Sequence, residues 1–587
     1  MKANKIKVLT VAVVCSGVFI SVRAQEPDNR LNREMTLERE YDPSLQDATK
    51  VNLLPEVNEL VVTKRSIDYS PFTVPANPKK EFTVLPSGDI MTEILYNKRR
   101  GYFHFGGGMF MNLNGDVGYH ILDTDKDLLN IFLTHRSTNG DVKYLQGEGE
   151  KQKAFLNDNL VGLGLRHRFT GSTLRLGAEY GYTGFNYYGL PLSAPSISSV
   201  WKPDSSDRTT KQVNQTVRGY LGIQSNENAG VGYLADVQWL HFSQKYGRQA
   251  EVEGLRENNL TGLFDFNVRL GEKNQRAGIA ARLNYFNYTY PSRTDSLGYQ
   301  NHLEATLTPY YRIDGETWHV KLGANLMLIT GDSMKVFVSP DIAAEMQIAP
   351  RTVFYVNAGG AIGSNDAAGL SHRNRYMDYF GSTLPSRRWL DATAGIRSSL
   401  TPDLWVNVFA GYKITENEVF FIPAPRTVTG SFANSTAFQP DANHFQAGAA
   451  LKYSCRQLVD VSLKGVYHAI TFDEGDEAAR TYGITPENMH PYGYPEMELN
   501  ADLTVKPAQP LALTLGYYLG HKRCTLLYGE PAELSDINDL NLTATWNFND
   551  TFGVYAKLNN LLFQEQEWWY GYPMQGFNAM VGININF

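Results

Sequence analysis

The chain has 587 residues, a formal net charge of -7, 42% hydrophobic and 12% aromatic residues, 51 Gly and only 3 Cys. A negative charge argues against nucleic acid as a partner, and so few cysteines exclude a disulfide scaffold. Abundant Tyr, Phe and Gly point to a β-rich chain.

The first 24 residues form a signal peptide. Lys2, Lys5 and Lys7 give a basic start, an apolar run covers Val8 to Ile20, and Val22-Arg23-Ala24 offers a cleavage site before Gln25. The run is short for a bilayer-spanning helix, which needs about 20 residues. Cleavage removes Lys2, Lys5, Lys7 and Arg23, taking the net charge from -7 to -11. An exported chain with no further long apolar run is either soluble or a closed barrel.

Residues 25–98 read as an extended periplasmic segment, polar and interrupted by Pro27, Pro43, Pro55, Pro71 and Pro78. Within it, Glu40, Tyr41, Asp42 and Pro43 sit in a linear motif running from Glu38 to Val51. Leu60, Val61 and Val62 form a short extended apolar stretch. Such a stretch can add a strand to a partner's sheet; a plain linker, or a segment folded back into a lumen, fits the same residues.

From residue 99 onward the period becomes two, the signature of an all-β chain, a transmembrane antiparallel β-barrel over 99–587. Val161, Leu163, Leu165 and His167 alternate with Gly162, Gly164, Arg166 and Arg168. The pattern recurs around Arg175 and Glu179, around Asp265 and Arg269, around Glu304 and around Asn541. It ends with Phe577, Ala579, Val581, Ile583, Ile585 and Phe587 on one face. About ten alternating residues per segment is the signature of an outer-membrane barrel.

Loop lengths strengthen it. Short turns fall near Thr170-Gly171, Gly271-Lys273, Asp314-Glu316, Ala349-Pro350, Thr401-Pro402, Lys506-Gln509 and Asn549-Thr551. Long connections fall near 137–158, 184–211, 365–387, 413–441 and 473–494. Short periplasmic turns and long outer loops belong to that architecture. About 22 strands fit between Gly101 and Phe587. A soluble all-β propeller is the competing architecture, though no repeat of its period is visible.

In this register Arg166, Arg168, Arg175, Glu179, Asp265, Arg269, Glu304 and Lys557 point to the lumen, as salt-bridged wall or as a surface selecting ions or docking a plug. Gly106-Gly107-Gly108 lies in a strand and allows close approach of a side chain. Asp123, Asp125 and Asp127 have calcium-loop spacing without the Gly and distant Glu such a loop needs, so they read as a solvated turn. The histidines look scattered. Cys455 and Cys524 fall at opposite ends of the barrel and are expected to be unpaired. Aromatics crowd the long loops: Tyr187, Tyr188 and Trp201, then Tyr492, then Trp568 and Trp569. They suit sugar or peptide contacts, or a membrane-interface belt. No nucleophile–base pair, H-E-x-x-H or Walker A pattern occurs, so neither enzyme activity nor a cofactor is expected.

The C-terminal stretch Phe552-Gly553-Val554-Tyr555-Ala556-Lys557-Leu558-Asn559-Asn560-Leu561-Leu562, with Gly571-Tyr572-Pro573 and Gly576-Phe577 after it, resembles the end of TonB-dependent receptors. That resemblance implies a 22-strand barrel, solute uptake or a receptor role, and a periplasmic energising partner. The apolar stretch at Leu60 is then similar to a TonB box. Those receptors carry a folded plug of well over a hundred residues, and the 25–98 segment is too short for one. The expected partners are outer-membrane lipid, a solute, and an energising or other envelope protein. The alternative is a non-transporting structural or assembly subunit of an outer-membrane complex.

Overall fold

In this computed structural model the residues described are 99–587, apart from 147–150, 190–210, 227–229, 247–253, 272–273, 291–298, 332, 378–382, 424–434, 456–457, 474–478 and 481. The signal peptide, the 25–98 segment and Trp201 lie outside them.

Twenty-two antiparallel strands form one closed sheet. Each pairs with the next barrel strand along the chain, and the first, Gly101–Gly108, pairs with the last, Asn578–Asn586. The closing register sets Gly106 opposite Gly582. The Gly101 N–H donates to the Phe587 carbonyl at 2.7 Å, and the Phe587 N–H to the Gly101 carbonyl at 2.9 Å. Closure leaves no edge, so every ladder group finds a partner inside the chain.

Alternation places the apolar residues on one face. Leu163, Leu176, Leu221, Phe264, Leu283, Leu307, Leu322 and Val408 are all exposed. A belt of exposed Leu, Val and Phe around a closed sheet is a lipid-facing surface. Among the described residues no helix is long and apolar enough to cross a membrane; the crossing is made by strands.

Every turn at one end spans two to five residues, whereas connections at the other end reach 25 residues, over 417–441. Numbering the outer loops in chain order, those used below are loop 1 (109–112), loop 2 (144–150), loop 3 (187–210), loop 7 (364–385), loop 8 (417–441), loop 9 (473–496), loop 10 (522–536) and loop 11 (560–577). The long loops expected near 184–211, 365–387, 413–441 and 473–494 agree with this. The one expected over 137–158 is corrected: strands Asp127–Lys143 and Lys151–Arg168 run 17 and 18 residues, leaving only 144–150 between them. Beyond the membrane a hairpin ladder continues in water without needing an apolar face, so the polar run Thr138-Asn139-Gly140-Asp141 stays paired.

Among the described residues three loops hold hairpins of their own: Phe420–Pro423 with Ser435–Phe438, Arg523–Leu527 with Glu530–Leu534, and Glu567–Trp569 with Tyr572–Pro573. Gly106 does admit a close neighbour: a Cβ there would sit 2.2 Å from the Tyr555 hydroxyl, and one on Gly582 would sit 2.3 Å from its Cζ. The Asp123–Asp127 turn is closed by Thr124, whose hydroxyl accepts the Asp127 N–H at 2.8 Å.

Candidate functional site

The outer loops build the candidate site. Asn365-Asp366-Ala367-Ala368 starts a short helix, Ala367–Arg373, in loop 7. The Asp366 side chain caps it by accepting the Gly369 N–H at 3.2 Å. Two further free N–H groups at this end, those of Ala367 and Ala368, donate to the fully buried Glu257 at 2.7 and 3.3 Å. Asn214 donates to Ser371 at 2.7 Å. Glu304, also buried, accepts from Ser364 at 2.7 Å and from Asn284 at 3.1 Å. The apolar side of the helix, Ala367 and Leu370, packs with Phe242, Phe286, Tyr288, Val419 and Phe421.

Phe242, Phe286 and Tyr288 alternate with the exposed Trp239, Leu283 and Tyr285, so the helix packs on the inner wall. Loop 7 therefore folds into the barrel mouth. Burial pushes the Asp366 carboxyl above the usual range, against the pull of the Gly369 N–H.

An aromatic knot joins loop 7 to loops 2, 3 and 11. Tyr376 stacks on Tyr572 with ring centres 3.8 Å apart, and Tyr188 meets both edge-on at 5.7 and 5.1 Å. The Tyr188 hydroxyl donates to the Pro573 carbonyl at 3.1 Å, and the Tyr144 hydroxyl donates to the Tyr188 carbonyl. Burial raises the hydroxyls of Tyr188, Tyr376 and Tyr572 and keeps them neutral donors. Trp569 meets Phe421 edge-on at 5.1 Å, and the Arg373 guanidinium lies 5.3 Å from the Phe421 ring centre.

Loops 8, 9 and 10 share a second core of Phe420, Ile422, Phe438, Ile484, Met489, Tyr492 and Leu526. Buried Arg523 ties loop 10 to loop 11: it donates to the carbonyls of Glu567, at 2.9 Å, and Trp568, and lies 5.5 Å from the Trp568 ring centre. Burial lowers this guanidinium to about 10.

The loop aromatics singled out in the sequence are thus largely packed inside. Tyr187, Tyr188 and Tyr492 are buried; Trp568 lies under Arg523 and Trp569 against Phe421. Several of the wall charges are paired. Arg175 makes a forked contact with Asp236 at 3.0 and 3.1 Å, Arg218 reaches Glu179 at 3.1 Å, and Tyr310 donates to Asp265 at 2.9 Å. Arg269 faces Arg276 across the ladder, Arg166 faces Arg175, and Lys557 lies 5.5 Å from the Tyr555 ring centre. Arg168 is exposed at the turn end of its strand. Glu304 reaches an outer loop, through Ser364.

The histidines are not all scattered. His444 and His468 share a hydrogen bond of 3.0 Å, Tyr494 of loop 9 meets both rings edge-on, and Glu498 lies 3.8 Å from His468. Register brings them together from positions 24 residues apart. Among the described residues no group of His, Cys, Asp and Glu could hold a metal ion. Cys455, at the turn end, and Cys524, in loop 10, are both free.

Glu257, Asp366, Tyr376 and Arg523 were not singled out in the sequence, and Tyr572 stood out only within the Gly571-Tyr572-Pro573 stretch. A helix signal was available for Asp366, an N-cap residue before Ala-Ala. For Glu257 and Arg523 no local signal exists, because their partners are remote.

No family model matches the chain, and no curated protein matches its sequence. Solved structures do match in fold. The FrpB iron transporter from Neisseria meningitidis superposes with a TM-score of 0.63 at 12% identity, over 84% of this chain and 82% of that one. A mutant of the ferric enterobactin receptor PfeA from Pseudomonas aeruginosa gives 0.61 at 12% identity, over 84% and 81%. The siderophore receptor PirA from Acinetobacter baumannii gives 0.60 at 10% identity, over 84% and 81%.

Proposed function

We propose that this chain, an outer-membrane barrel with the fold of TonB-dependent receptors, takes up or senses a solute from outside through a mouth that its own loops hold shut. The observation that carries this is the docking of loop 7. Its helix is fastened to the inner wall by Glu257 and Asn214 and roofed by Tyr188, Tyr376 and Tyr572. A closure made of many modest contacts is one that binding can loosen, since a ligand shifts an equilibrium by its differential affinity for the two states.

The iron transporter and siderophore receptors that share the fold support uptake as the class of function. In this reading Arg166, Arg168, Arg175, Glu179, Asp265, Arg269, Glu304 and Lys557 line the lumen. The Glu40–Pro43 motif and the Leu60–Val62 stretch meet a periplasmic energising partner by strand addition.

Potassium chloride conductance in planar bilayers tests it. The full chain should be quiet, and the Glu257→Ala/Arg523→Ala double variant should conduct. A full chain that conducts steadily overturns the closed mouth.

A second reading, a non-transporting assembly subunit, is favoured by the depth at which the loop aromatics are buried. Its mark is a silent barrel, even with loosened loops, that retains stoichiometric envelope proteins in a pull-down from outer membranes.

A further inference from the structure

The barrel wall is uneven in height. Around much of its circumference strands run 14 to 18 residues, as in Lys151–Arg168 and Lys211–Ser225. At the closing seam they are far shorter. Phe552–Asn559 has 8 residues, Asn578–Asn586 has 9 and Gly101–Gly108 has 8. A tilted transmembrane strand needs about 9–11 residues to cross the hydrocarbon region. On the turn side Gly101 lies opposite Tyr119 while its neighbour strand runs on to Asp123, and on the outer side Leu113 lies opposite Ser137 while the next strand runs on to Lys143. The larger part of the shortfall is therefore on the outer side.

The outward apolar stripe does not stop where these strands stop. It runs from Val581, 67% exposed, into half-buried Phe577, and from Phe105 into Met109, Met111 and Leu113. Phe563 of loop 11, 68% exposed, stacks on Phe577 with ring centres 4.9 Å apart. Asn112 donates to Gln575 at 3.0 Å, fastening loop 1 to loop 11, so these side chains form one surface. Two of them stand on an unfavourable backbone: Met111 has φ 52° and Phe563 has φ 54°. Bulky residues adopt that conformation rarely. Here it is held while their side chains face outward, away from the buried loop core.

We propose that the closing seam holds the outer leaflet thin, with Met109, Met111, Phe563 and Phe577 seated among lipid acyl chains. A wall shorter than the hydrocarbon thickness is met by local thinning of the bilayer and by loop residues at acyl depth. Apolar loop tips directly above the short strands supply the second part. The longest part of the wall needs neither, and its outer end is polar at Thr138–Asp141. The surface thus fits lipid, and its position brings bilayer lipid up to the outer loops at the closing seam.

The test uses the full chain with Cys455 and Cys524 replaced by Ser, in phosphatidylcholine nanodiscs. Single cysteines Phe563→Cys, Met111→Cys and Met109→Cys carry bimane, with Tyr528→Cys, 80% exposed at the loop 10 hairpin tip, as the aqueous reference. Acyl-chain nitroxide lipid should quench the three seam labels at least twofold and shift them to the blue, leaving the Tyr528→Cys label unchanged. Seam labels quenched by iodide as strongly as the reference would overturn the proposal. So would seam labels open to iodide in nanodiscs but protected in native outer membranes, a result that points to a protein partner. If one cysteine variant does not fold, the other two carry the same readout.

Discussion

Glu257 accepts the backbone N–H of Ala367, 110 residues further along the chain, at 2.7 Å. This bond joins the inner wall to the first turn of the loop 7 helix, where unpaired N–H groups and the helix dipole both favour an anion. Buried N–H groups that lose their acceptor cost about 1–3 kcal/mol each. Glu257→Ala should therefore free loop 7, raising amide exchange over 364–377 at least tenfold while the strands keep their protection. Glu257→Gln keeps one acceptor oxygen and should give a smaller rise. Hydrogen exchange read by mass spectrometry checks both.

The same docking should depend on pH. Asp366 is buried, and burial holds its carboxyl above the value of about 3.9 that a released loop would show. Docked loop 7 then binds more protons than released loop 7 between those two values. Docking is firmest below about 3.9 and weakens as pH rises through the elevated value. The groups facing Asp366 are Glu257 and Glu304, both acidic, with His302 beside Glu304 at 3.4 Å. Proteolysis of loop 7 in outer-membrane preparations should be faster at pH 8 than at pH 4, after correction for protease activity. Asp366→Asn, still a good helix cap, should flatten the difference.

At the closing seam Tyr555 lies across the glycine pair Gly106 and Gly582. Gly582→Ala would force its Cβ against the ring, 2.3 Å from Cζ. Overpacking of this kind costs about 1–3 kcal/mol. The variant should lose its folded, heat-modifiable gel band at a lower temperature than the parent. Adding Tyr555→Ala should restore part of the loss, because neighbours in contact are not additive.

Arg523 is the fastening between loops 10 and 11. Arg523→Lys keeps a charge but loses the planar fork that serves two carbonyls and the Trp568 face together. Cys524 beside it reports the change, since burial raises that thiol to about 11. Maleimide labelling of Cys524 at pH 7.5 should be slow in the parent and several-fold faster in Arg523→Lys.

The barrel was legible in the sequence because its determinants are local. Residues such as Leu163 and Arg166 declare their faces by parity alone, and turns such as Thr170-Gly171 are short and polar. Strand length was less legible: past the membrane, Thr138 to Asp141 pair as a ladder with no apolar stripe to mark it. The loops were the least legible. Tyr188 and Tyr492 look like contact residues in a linear reading, because nothing nearby shows that Tyr376, Tyr572 or Phe438 will cover them. His444 and His468 look scattered until register sets their strands side by side. Glu257 sits in a polar run, Arg256-Glu257-Asn258-Asn259, and only the distant helix gives it a role.

The docking of loop 7 in the mouth can be measured directly through Asn214 and Ser371, whose side chains meet at 2.7 Å. With Cys455 and Cys524 replaced by Ser, the Asn214→Cys/Ser371→Cys variant is treated in intact outer membranes with a short bis-methanethiosulfonate linker. Near-complete cross-linking, seen as a reducible shift in gel mobility, is the expected result. Cross-linking no greater than for Asn214→Cys paired with Tyr528→Cys would contradict a loop that closes the barrel from within.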